Sequence, residues 1–233
     1  MSLEGIENGT DDVFVVIAAF NEERSLASVL GSLTPRYRNV VVVDDGSIDD
    51  TGAIARRHAR WTLSHIVNRG QGAALQTGID FAVARGAKYV VTFDADGQHD
   101  PEDIEKLLEP LRADECDITL GSRFLGTAEG IPRSRKLMLR AAARMTSLIS
   151  GVRLTDAHNG LRAMTCDAAS RIELTMDRMA HANEIIDLVG QLGLRHREVP
   201  VSIRYTEYSL EKGQRLDNGF RIMLHYWLGR VFG

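Results

Sequence analysis

The sequence has only two cysteines, Cys116 and Cys166, in 233 residues. They lack the spacing of a metal site and lie in apolar segments, which excludes a disulfide scaffold and indicates buried, reduced thiols. No apolar run approaches the roughly 18 residues of a membrane-spanning helix, and the first residues lack the charged and apolar blocks of a signal peptide. We therefore expect a cytoplasmic protein that lies, at most, peripherally on a membrane.

The sequence also has no excess of positive charge. The formal net charge is −4, which argues against a nucleic-acid partner, and 44% hydrophobic with 26% charged residues is typical of a soluble globular domain. The basic residues are nevertheless unevenly distributed, because residues 131–155 contain six of them and no acidic residue. We expect something anionic to bind there. These six are Arg133, Arg135, Lys136, Arg140, Arg144 and Arg153.

Short apolar runs alternate with segments of helical spacing through the first 120 residues. This pattern predicts an α/β fold with a mainly parallel sheet, right-handed crossovers and helices on both faces. The alternation breaks after Gly121, and no linker marks a domain boundary, so residues 13–233 are expected to form one domain behind a disordered tail, 1–12. The predicted strands are 13–19, 40–43, 63–67, 89–93, 117–120, 161–164 and 199–205.

Two carboxylates one residue apart, Asp94 and Asp96, directly follow the apolar run 89–93, with Gln98 and His99 behind them. Ligands collect at the carboxyl edge of a parallel sheet, and carboxylate oxygens suit Mg²⁺ or Mn²⁺, which leaves coordination positions for substrate phosphates. A diphosphate is the natural partner. The alternative is a solvated polar turn, and this motif alone does not decide between the two.

Three further polar clusters stand at the predicted ends of the first three strands. A carboxylate after the second strand can bind ribose or base, and glycines allow the backbone to approach a phosphate. Each cluster is weak evidence when taken singly. Four clusters at four successive strand ends predict one shared crevice. The three clusters are Asn21 with Glu22, then residues 44–47, then residues 68–72.

In order and spacing, these motifs resemble family 2 of the glycosyltransferases, which has the nucleotide-sugar-binding GT-A fold, and most closely its polyprenyl-phosphate sugar synthases. The resemblance runs from about Val13 to Tyr208. It implies inverting, metal-dependent transfer of a hexose from a nucleotide diphosphate sugar, UDP- or GDP-linked, to a polyprenyl phosphate. Residues 13–125 would be the nucleotide-sugar half and 126–233 the acceptor half. The motifs are VIAAFNEERSL, VVVDDGSIDDT, NRGQGAALQTG, VTFDADGQH, ITLGSRF, LTDAHNGLRAM and HANEIIDL.

The resemblance also implies residue roles. Metal ligands would be Asp94, Asp96 and Gln98. The catalytic group would comprise Asp96, Arg123, Asp156, Arg162 and Glu184. Nucleotide and phosphate would be bound by Ala19, Asn21, Glu22, Asp44, Gly70, Gly72, Asp94, Arg133, Arg135, Arg204 and Lys212.

Three features of the sequence qualify these roles. An internal salt bridge between Arg162 and Glu184 is the structural alternative to their catalytic roles. Gln71 stands where many relatives carry Lys, and His158 with Asn159 replaces small residues common in the mannose synthases, so the resemblance does not fix the sugar.

A lipid phosphate needs no general base, because with a second pKa near ~6 it is already a dianion at neutral pH. We expect Arg133 and Arg135 to hold this phosphate, since guanidinium groups bind phosphate bidentately. The same segment predicts a helix with an apolar stripe beside a basic one, as expected at an anionic membrane surface. The alternative is a surface helix packed on the core with a solvated basic face. The apolar stripe is Leu137, Ala141, Met145, Leu148 and Val152, and the basic one is Lys136, Arg140 and Arg144.

Other functions stay open at this point. Transfer to a sugar hydroxyl of a polysaccharide or glycolipid would need a base, for which Asp156 or Glu184 could serve. A nucleotidyltransferase is disfavoured because its glycine-rich loop would follow the first strand, and a non-catalytic nucleotide-binding subunit is disfavoured by the intact Asp94 and Asp96.

The expected location is the inner face of the plasma membrane, with the membrane surface or a small membrane-anchor protein as partner, and a homodimer stays open. The resemblance implies that residues 204–215 form a lid over the donor phosphates, and the alternative is a loop of solvated charges. Residues 220–231 are expected to form a C-terminal helix.

Overall fold

The computed structural model describes residues 10–176 and 181–205, which form seven strands and seven helices. The strands are β1 Val13–Ala19, β2 Asn39–Asp44, β3 Trp61–Ser64, β4 Tyr89–Thr92, β5 Ile118–Glu129, β6 Arg162–Thr165 and β7 His196–Arg204. The helices are α1 Leu26–Leu33, α2 Thr51–His58, α3 Gln71–Ala84, α4 Asp103–Arg112, α5 Arg133–Ser150, α6 Cys166–Arg171 and α7 His181–Gln191.

The strands form one sheet in the order β3-β2-β1-β4-β6-β5-β7. Six strands run in the same direction, and β6 runs antiparallel to both of its neighbours. The valine-rich strands β1, β2 and β4 occupy the centre, where apolar side chains are needed on both faces. The prediction of a mainly parallel α/β sheet is confirmed.

Two buried apolar clusters lie on opposite faces of this sheet. Helices α1, α2 and α4 pack on one face through residues such as Leu30, Ala55 and Leu107. Helices α3, α6 and α7 pack on the other face through residues such as Ile79 and Ile185. The prediction of helices on both faces is therefore also confirmed.

Several predicted element boundaries are wrong. The strand predicted to end at residue 120 continues to Glu129, and the strand predicted to begin at residue 199 begins at His196. The third strand ends at Ser64, and the Ile66 and Val67 side chains, predicted inside it, are 100% and 63% exposed.

Asp100, Pro101 and Asp103 have the residue types of an N-cap, a first helical position and a capping box, and they predict a helix start at Asp100. Asp100 does not start α4, because its carboxylate accepts from the Glu102 backbone N–H in a turn that precedes the helix. The Asp103 carboxylate, expected to complete a capping box, instead accepts from Ser202 N (2.7 Å) and Lys106 Nζ (2.6 Å).

The predicted apolar stripe on α5 is also shorter than expected. Gly151 adopts a left-handed conformation with φ of 74° and ends the helix, so Val152 lies beyond it and is buried in the core. The helix contacts the rest of the protein through its small residues Ala142, Ala143 and Thr146.

Three expectations concern segments that lie wholly or partly outside the described residues. Residues 1–9 of the expected tail are not described, whereas Asp11 and Asp12 accept backbone or side-chain hydrogen bonds from Asn39, Lys88 and Tyr89. Most of the expected lid, including Lys212, and the whole C-terminal helix also lie outside. Among the described residues, no helix is long and apolar enough to cross a membrane.

Substitution by alanine should have opposite effects on stability at Gly78 and Gly31, because only Gly78 packs closely against the sheet. A Cβ at Gly78 would lie 2.3 Å from Val16 Cγ1, whereas a Cβ at Gly31 on α1 meets nothing within 4 Å. We expect Gly78→Ala to lower the free energy of unfolding by about 1–3 kcal/mol through overpacking. Gly31→Ala should raise it by up to about 1 kcal/mol through helix propensity. Urea unfolding of both variants checks this, and equal effects would contradict the packing of α3.

Candidate active site

The predicted polar clusters meet at one edge of the sheet. Strands β1 to β4 are parallel, so the loops that follow Ala19, Asp44, Ser64 and Thr92 leave from the same edge. Because β6 is antiparallel and its Arg162 pairs with Thr92, the segment before β6 reaches this edge as well. The sheet therefore gathers residues from both halves of the chain into one crevice.

The Asp94 carboxylate is surrounded by polar groups. Its Oδ1 accepts from Gln71 Nε2 (3.2 Å), and its Oδ2 lies 2.9 Å from His99 Nε2. Burial alone would raise the pKa of Asp94, but the hydrogen bond and charge of His99, with the charges of Arg162 and His181, lower it below its ordinary value. Asp94 is therefore held as a carboxylate.

Asp96 has the opposite environment. Its two oxygens accept from the backbone N–H (3.0 Å) and the side-chain amide (2.5 Å) of Gln98. Burial, and then the charge of Asp94, raise the pKa of Asp96 to about 6. The charge of His99 offsets this only in part, so an ionised Asp96 has less cationic compensation than Asp94.

This pair suits a divalent cation. Two hard carboxylate groups lie together, and one of them is short of positive charge. Gly160 keeps the space open, because a Cβ there would lie 2.1 Å from Asp94 Oδ2. No group of three or more His, Cys, Asp or Glu side chains in the described residues forms a closed metal cage. The arrangement therefore fits Mg²⁺ or Mn²⁺, which retains positions for water and phosphate.

The loops after β1 and β2 are joined by hydrogen bonds. Asn21, at φ of 54°, donates its N–H to Ser47 Oγ (3.0 Å), and Glu22 donates its N–H to Thr51 Oγ1 (2.7 Å). Asp44 accepts from Ser47 N (3.1 Å). The structure thus brings Ala19, Asn21, Glu22 and Asp44 together, as their proposed donor-binding role requires.

Arg123 is bound on three sides. Its Nε donates to Asp156 Oδ2 (2.6 Å), its Nη2 to the His158 carbonyl (2.8 Å) and its Nη1 to the Tyr205 hydroxyl (2.5 Å). The second Asp156 oxygen accepts from His158 N (3.3 Å). Arg123 and Asp156 therefore connect β5, the segment before β6 and the end of β7.

Arg162 and His158 carry unmet hydrogen-bonding atoms. In the described part of the chain, Arg162 Nη1 and His158 Nδ1 are buried without a hydrogen-bond partner. Burial lowers the pKa of Arg162 to about 10, against the charges of Asp94 and Asp156. Burial, with the charges of Arg123 and Arg162, lowers the pKa of His158 to about 4. At neutral pH the site therefore holds a cationic Arg162 beside a neutral His158.

Glu184 does not pair with Arg162 within the described residues. Its Oε1 accepts from Thr175 N (2.8 Å) and Thr175 Oγ1 (2.6 Å), and its Oε2 accepts from Met176 N (3.0 Å). It thereby holds the segment before α7 against Gly72. A Cβ at position 72 would lie 2.2 Å from the Met176 carbonyl oxygen. The internal salt bridge considered from the sequence is not observed.

The remaining predicted basic residues lie at the ends of α5 and β7. Arg133 is exposed in the first turn of α5, and the Arg135 guanidinium stacks 5.2 Å from the Tyr205 ring centroid. Arg204 is exposed, and its backbone N–H donates to the Gln98 carbonyl (3.0 Å). Arg135 and Arg123 therefore meet at Tyr205, while Lys212 lies outside the described residues.

Sequence reasoning missed several contributors to the site. Asp45 and His65 form a buried pair, Tyr205 joins two arginines, and Glu198 accepts from the backbone N–H groups of Thr155 and Asp156. Asp45 was part of the predicted 44–47 cluster and Tyr205 part of the expected lid segment, but neither was given these contacts. Nothing in the spacing of the sequence indicated His65 or Glu198, since their partners are distant along the chain.

Comparison with known proteins decides the family. The profile of glycosyl transferase family 2 matches residues 14–172, more than half of the chain. The chain belongs to glycosyltransferase family 2. It is therefore a glycosyltransferase, and the resemblance inferred from the motifs is confirmed.

Several relatives match nearly the whole chain. A Methanocaldococcus jannaschii protein of unassigned function is 39% identical, over 97% of this chain and 95% of that protein. The UDP-N-acetylglucosamine–dolichyl-phosphate N-acetylglucosaminyltransferase of Methanococcus voltae is 32% identical, over 94% of this chain and 97% of that protein. The polyprenol monophosphomannose synthase of Mycolicibacterium smegmatis is 31% identical, over 87% and 81%.

Solved structures confirm the GT-A fold. Glucosyl-3-phosphoglycerate synthase from Mycobacterium tuberculosis, crystallised with Mn²⁺, UDP and glucosyl-3-phosphoglycerate, matches with a TM-score of 0.72 and 21% identity, over 95% of this chain and 80% of that one. The same enzyme with Mg²⁺ and UDP matches with a TM-score of 0.71 and 22% identity, over 95% of this chain and 79% of that one. At this identity the likeness shows the fold alone.

The unequal environments of the two aspartates predict stability effects of opposite sign. In metal-free protein at pH 7, Asp96→Asn should raise the free energy of unfolding by on the order of 1–2 kcal/mol, because it removes an unfavourable charge. Asp94→Asn should lower it by about 1–3 kcal/mol, because it leaves buried cationic groups unpaired. Denaturant unfolding with a metal chelator measures both. A larger loss for Asp96→Asn than for Asp94→Asn would contradict the assignment.

Proposed function

We propose that this glycosyltransferase is a metal-dependent, inverting enzyme that transfers a hexose from a nucleotide diphosphate sugar to a polyprenyl phosphate. The names of the relatives from Methanococcus voltae and Mycolicibacterium smegmatis support the lipid phosphate acceptor. One observation carries the proposal. Asp156 and Glu184, the two carboxylates considered as general bases, already use both of their oxygens in hydrogen bonds within the protein.

A sugar hydroxyl acceptor would require a free base. Asp156 is only 3% exposed and uses one oxygen for Arg123 and the other for the His158 N–H. Glu184 is only 7% exposed and uses both oxygens for the 175–176 segment. Neither is placed to remove a proton from a hydroxyl group. A phosphate dianion can attack without such a base, so these contacts favour the phosphate acceptor.

The donor would lie along the carboxyl edge of β1 to β4. A cation held by Asp94 and Asp96 would neutralise negative charge on the departing diphosphate. The unpartnered Nη1 of Arg162 would donate to an oxygen of the bound ligand, since buried polar groups are rarely left unpaired. The acceptor oxygen forms its bond to the anomeric carbon on the side opposite to the leaving diphosphate, which inverts the configuration.

The acceptor phosphate would lie between α5 and Tyr205. Arg133 and Arg135 stand in the first turn of α5, and Arg135 packs on the same tyrosine that bonds Arg123. Arg135 and Arg123 thus meet at the Tyr205 side chain, and Arg133 lies two residues before Arg135 on α5. Guanidinium groups remain charged at any relevant pH and bind phosphate bidentately.

The lipid would approach along α5. The Leu137 and Leu148 side chains are 72% and 83% exposed, and Arg140 and Arg144 are exposed on the same side of the helix. The helix packs on the described core through its opposite side, so its apolar stripe is not an ordinary core-facing stripe. An exposed apolar strip beside basic residues suits the surface of an anionic membrane. We infer that the enzyme acts peripherally on such a membrane.

The acceptor class is tested by turnover with purified protein and Mn²⁺. UDP-N-acetylglucosamine, UDP-glucose and GDP-mannose are each supplied with a polyprenyl phosphate or with the corresponding polyprenol, which lacks the phosphate. We expect transfer to the phosphate with one donor and at least about 100-fold less to the alcohol, because the alcohol needs a base. Simple sugars serve as hydroxyl controls. Exclusive transfer to hydroxyl acceptors would overturn the proposal.

The membrane assignment is tested by placing one negative charge on the exposed face of α5. Leu148→Asp should reduce co-sedimentation with vesicles of anionic phospholipid by about tenfold, since it removes an apolar contact and repels the surface. Ala113→Asp adds the same charge at an exposed site beyond α4 and should bind like wild type. Equal binding by both variants and wild type would exclude this face as the membrane contact.

A further inference from the structure

A buried histidine and aspartate lie behind the donor edge, outside the residues assigned to the reaction. His65 Nδ1 is 2.6 Å from Asp45 Oδ1, and the two side chains are 9% and 3% exposed. On the other side of the ring, His65 Nε2 is 3.0 Å from Thr77 Oγ1 on α3. The imidazole thus bridges the end of β2 and the second turn of α3.

Both ring nitrogens of His65 have a partner. The Asp45 carboxylate is an acceptor, so His65 Nδ1 donates to it. Thr77 Oγ1 lies within hydrogen-bond distance of both His65 Nε2 and the Ala73 carbonyl (2.9 Å). The imidazole is therefore held by one contact at each ring nitrogen.

The same carboxylate shapes the loop before α3. Asp45 Oδ1 accepts from Arg69 N (2.9 Å), and Asp45 Oδ2 accepts from Gly70 N (2.7 Å). Gly70 has a positive φ of 98°, a conformation that glycine adopts without strain, and α3 begins at the next residue. That next residue is Gln71, whose side chain donates to Asp94.

A continuous set of contacts therefore runs from His65 to the aspartate pair. His65 pairs with Asp45, Asp45 holds the Arg69–Gly70 backbone, and that backbone sets the position of Gln71 against Asp94. Backbone hydrogen bonds from Asp45 N to the Ala19 carbonyl (2.8 Å) and from His65 N to the Asp44 carbonyl (2.9 Å) fix both partners at the strand ends.

We propose that His65 is a positioning residue for the donor: its Nδ1–H holds Asp45, and Asp45 holds the Arg69–Gly70 loop in the conformation that receives the nucleotide diphosphate and its cation. The proposal rests on the proposed function for the identity of the ligand. Without His65 the Asp45 carboxylate would be buried with backbone partners alone, an arrangement that favours rearrangement of the loop.

Two substitutions at position 65 separate the contact from the bulk of the ring. His65→Leu removes both ring-nitrogen contacts and keeps an apolar side chain of similar size. His65→Asn retains a nitrogen at the same number of bonds from Cα as Nδ1, so it can still donate to Asp45. As a control for lost stability, Thr119→Val removes buried hydrogen bonds to the Leu107 and Ala163 carbonyls, at a position on β5.

The measurements are the affinity for UDP and for GDP with Mn²⁺ by calorimetry, and backbone amide exchange at Arg69 and Gly70 by NMR. We expect His65→Leu to weaken nucleotide binding at least about tenfold and to accelerate exchange at both amides. His65→Asn should stay within about threefold of wild type, and Thr119→Val should lose stability without losing affinity.

The outcomes are distinguishable from failure of the proposed function. Absence of nucleotide binding by wild type would contradict the proposed function, while amide exchange would still report whether His65 and Asp45 hold the loop. Unchanged exchange in His65→Leu, or affinity equal to that of Thr119→Val, would overturn the positioning role.

Discussion

The environment of the Asp94 carboxylate is the constraint on which the rest of the site depends. Gln71 reaches it from α3, His99 from the following loop, and Arg162 supplies charge from β6. Gly160 adds no side chain beside it, because a Cβ there would lie 2.1 Å from Asp94 Oδ2. The groups around Asp94 come from α3, from the following loop and from the segment 160–162, so the two halves of the chain meet at this carboxylate. Against the effect of burial, His99 and Arg162 lower the pKa of Asp94, and burial with the charge of Asp94 raises the pKa of Asp96, so the pair suits a cation.

The architecture was largely predictable, because strands β1, β2 and β4 are short apolar runs followed by helical spacing and turn residues. The errors occurred where tertiary contacts override local signals. Asp103 binds the backbone of Ser202 instead of closing a capping box near Asp100. The antiparallel direction of β6 depends on its pairing with β4 and β5. The four residues of this strand do not indicate which strands it pairs with or in which direction.

The candidate site was predictable in its carboxylates and less so in what holds them. Two acids after a strand indicated Asp94 and Asp96, and the family motifs indicated Arg123 and Asp156. The pairing of Asp45 with His65, 20 residues away, depends on the strand order. The anchoring contacts of Glu184 likewise required the packing of α7 beside the 175–176 segment. Charge and residue type are visible in a sequence, whereas the partner that satisfies each charge is set by the fold.

Anomalous X-ray diffraction from crystals grown with Mn²⁺ and a nucleoside diphosphate tests the central claim most directly. The account predicts a manganese peak at about 2.0–2.3 Å from carboxylate oxygens of Asp94 and Asp96, with diphosphate oxygens completing its coordination. Nucleotide bound at this edge with manganese absent, or coordinated by other residues, would contradict it.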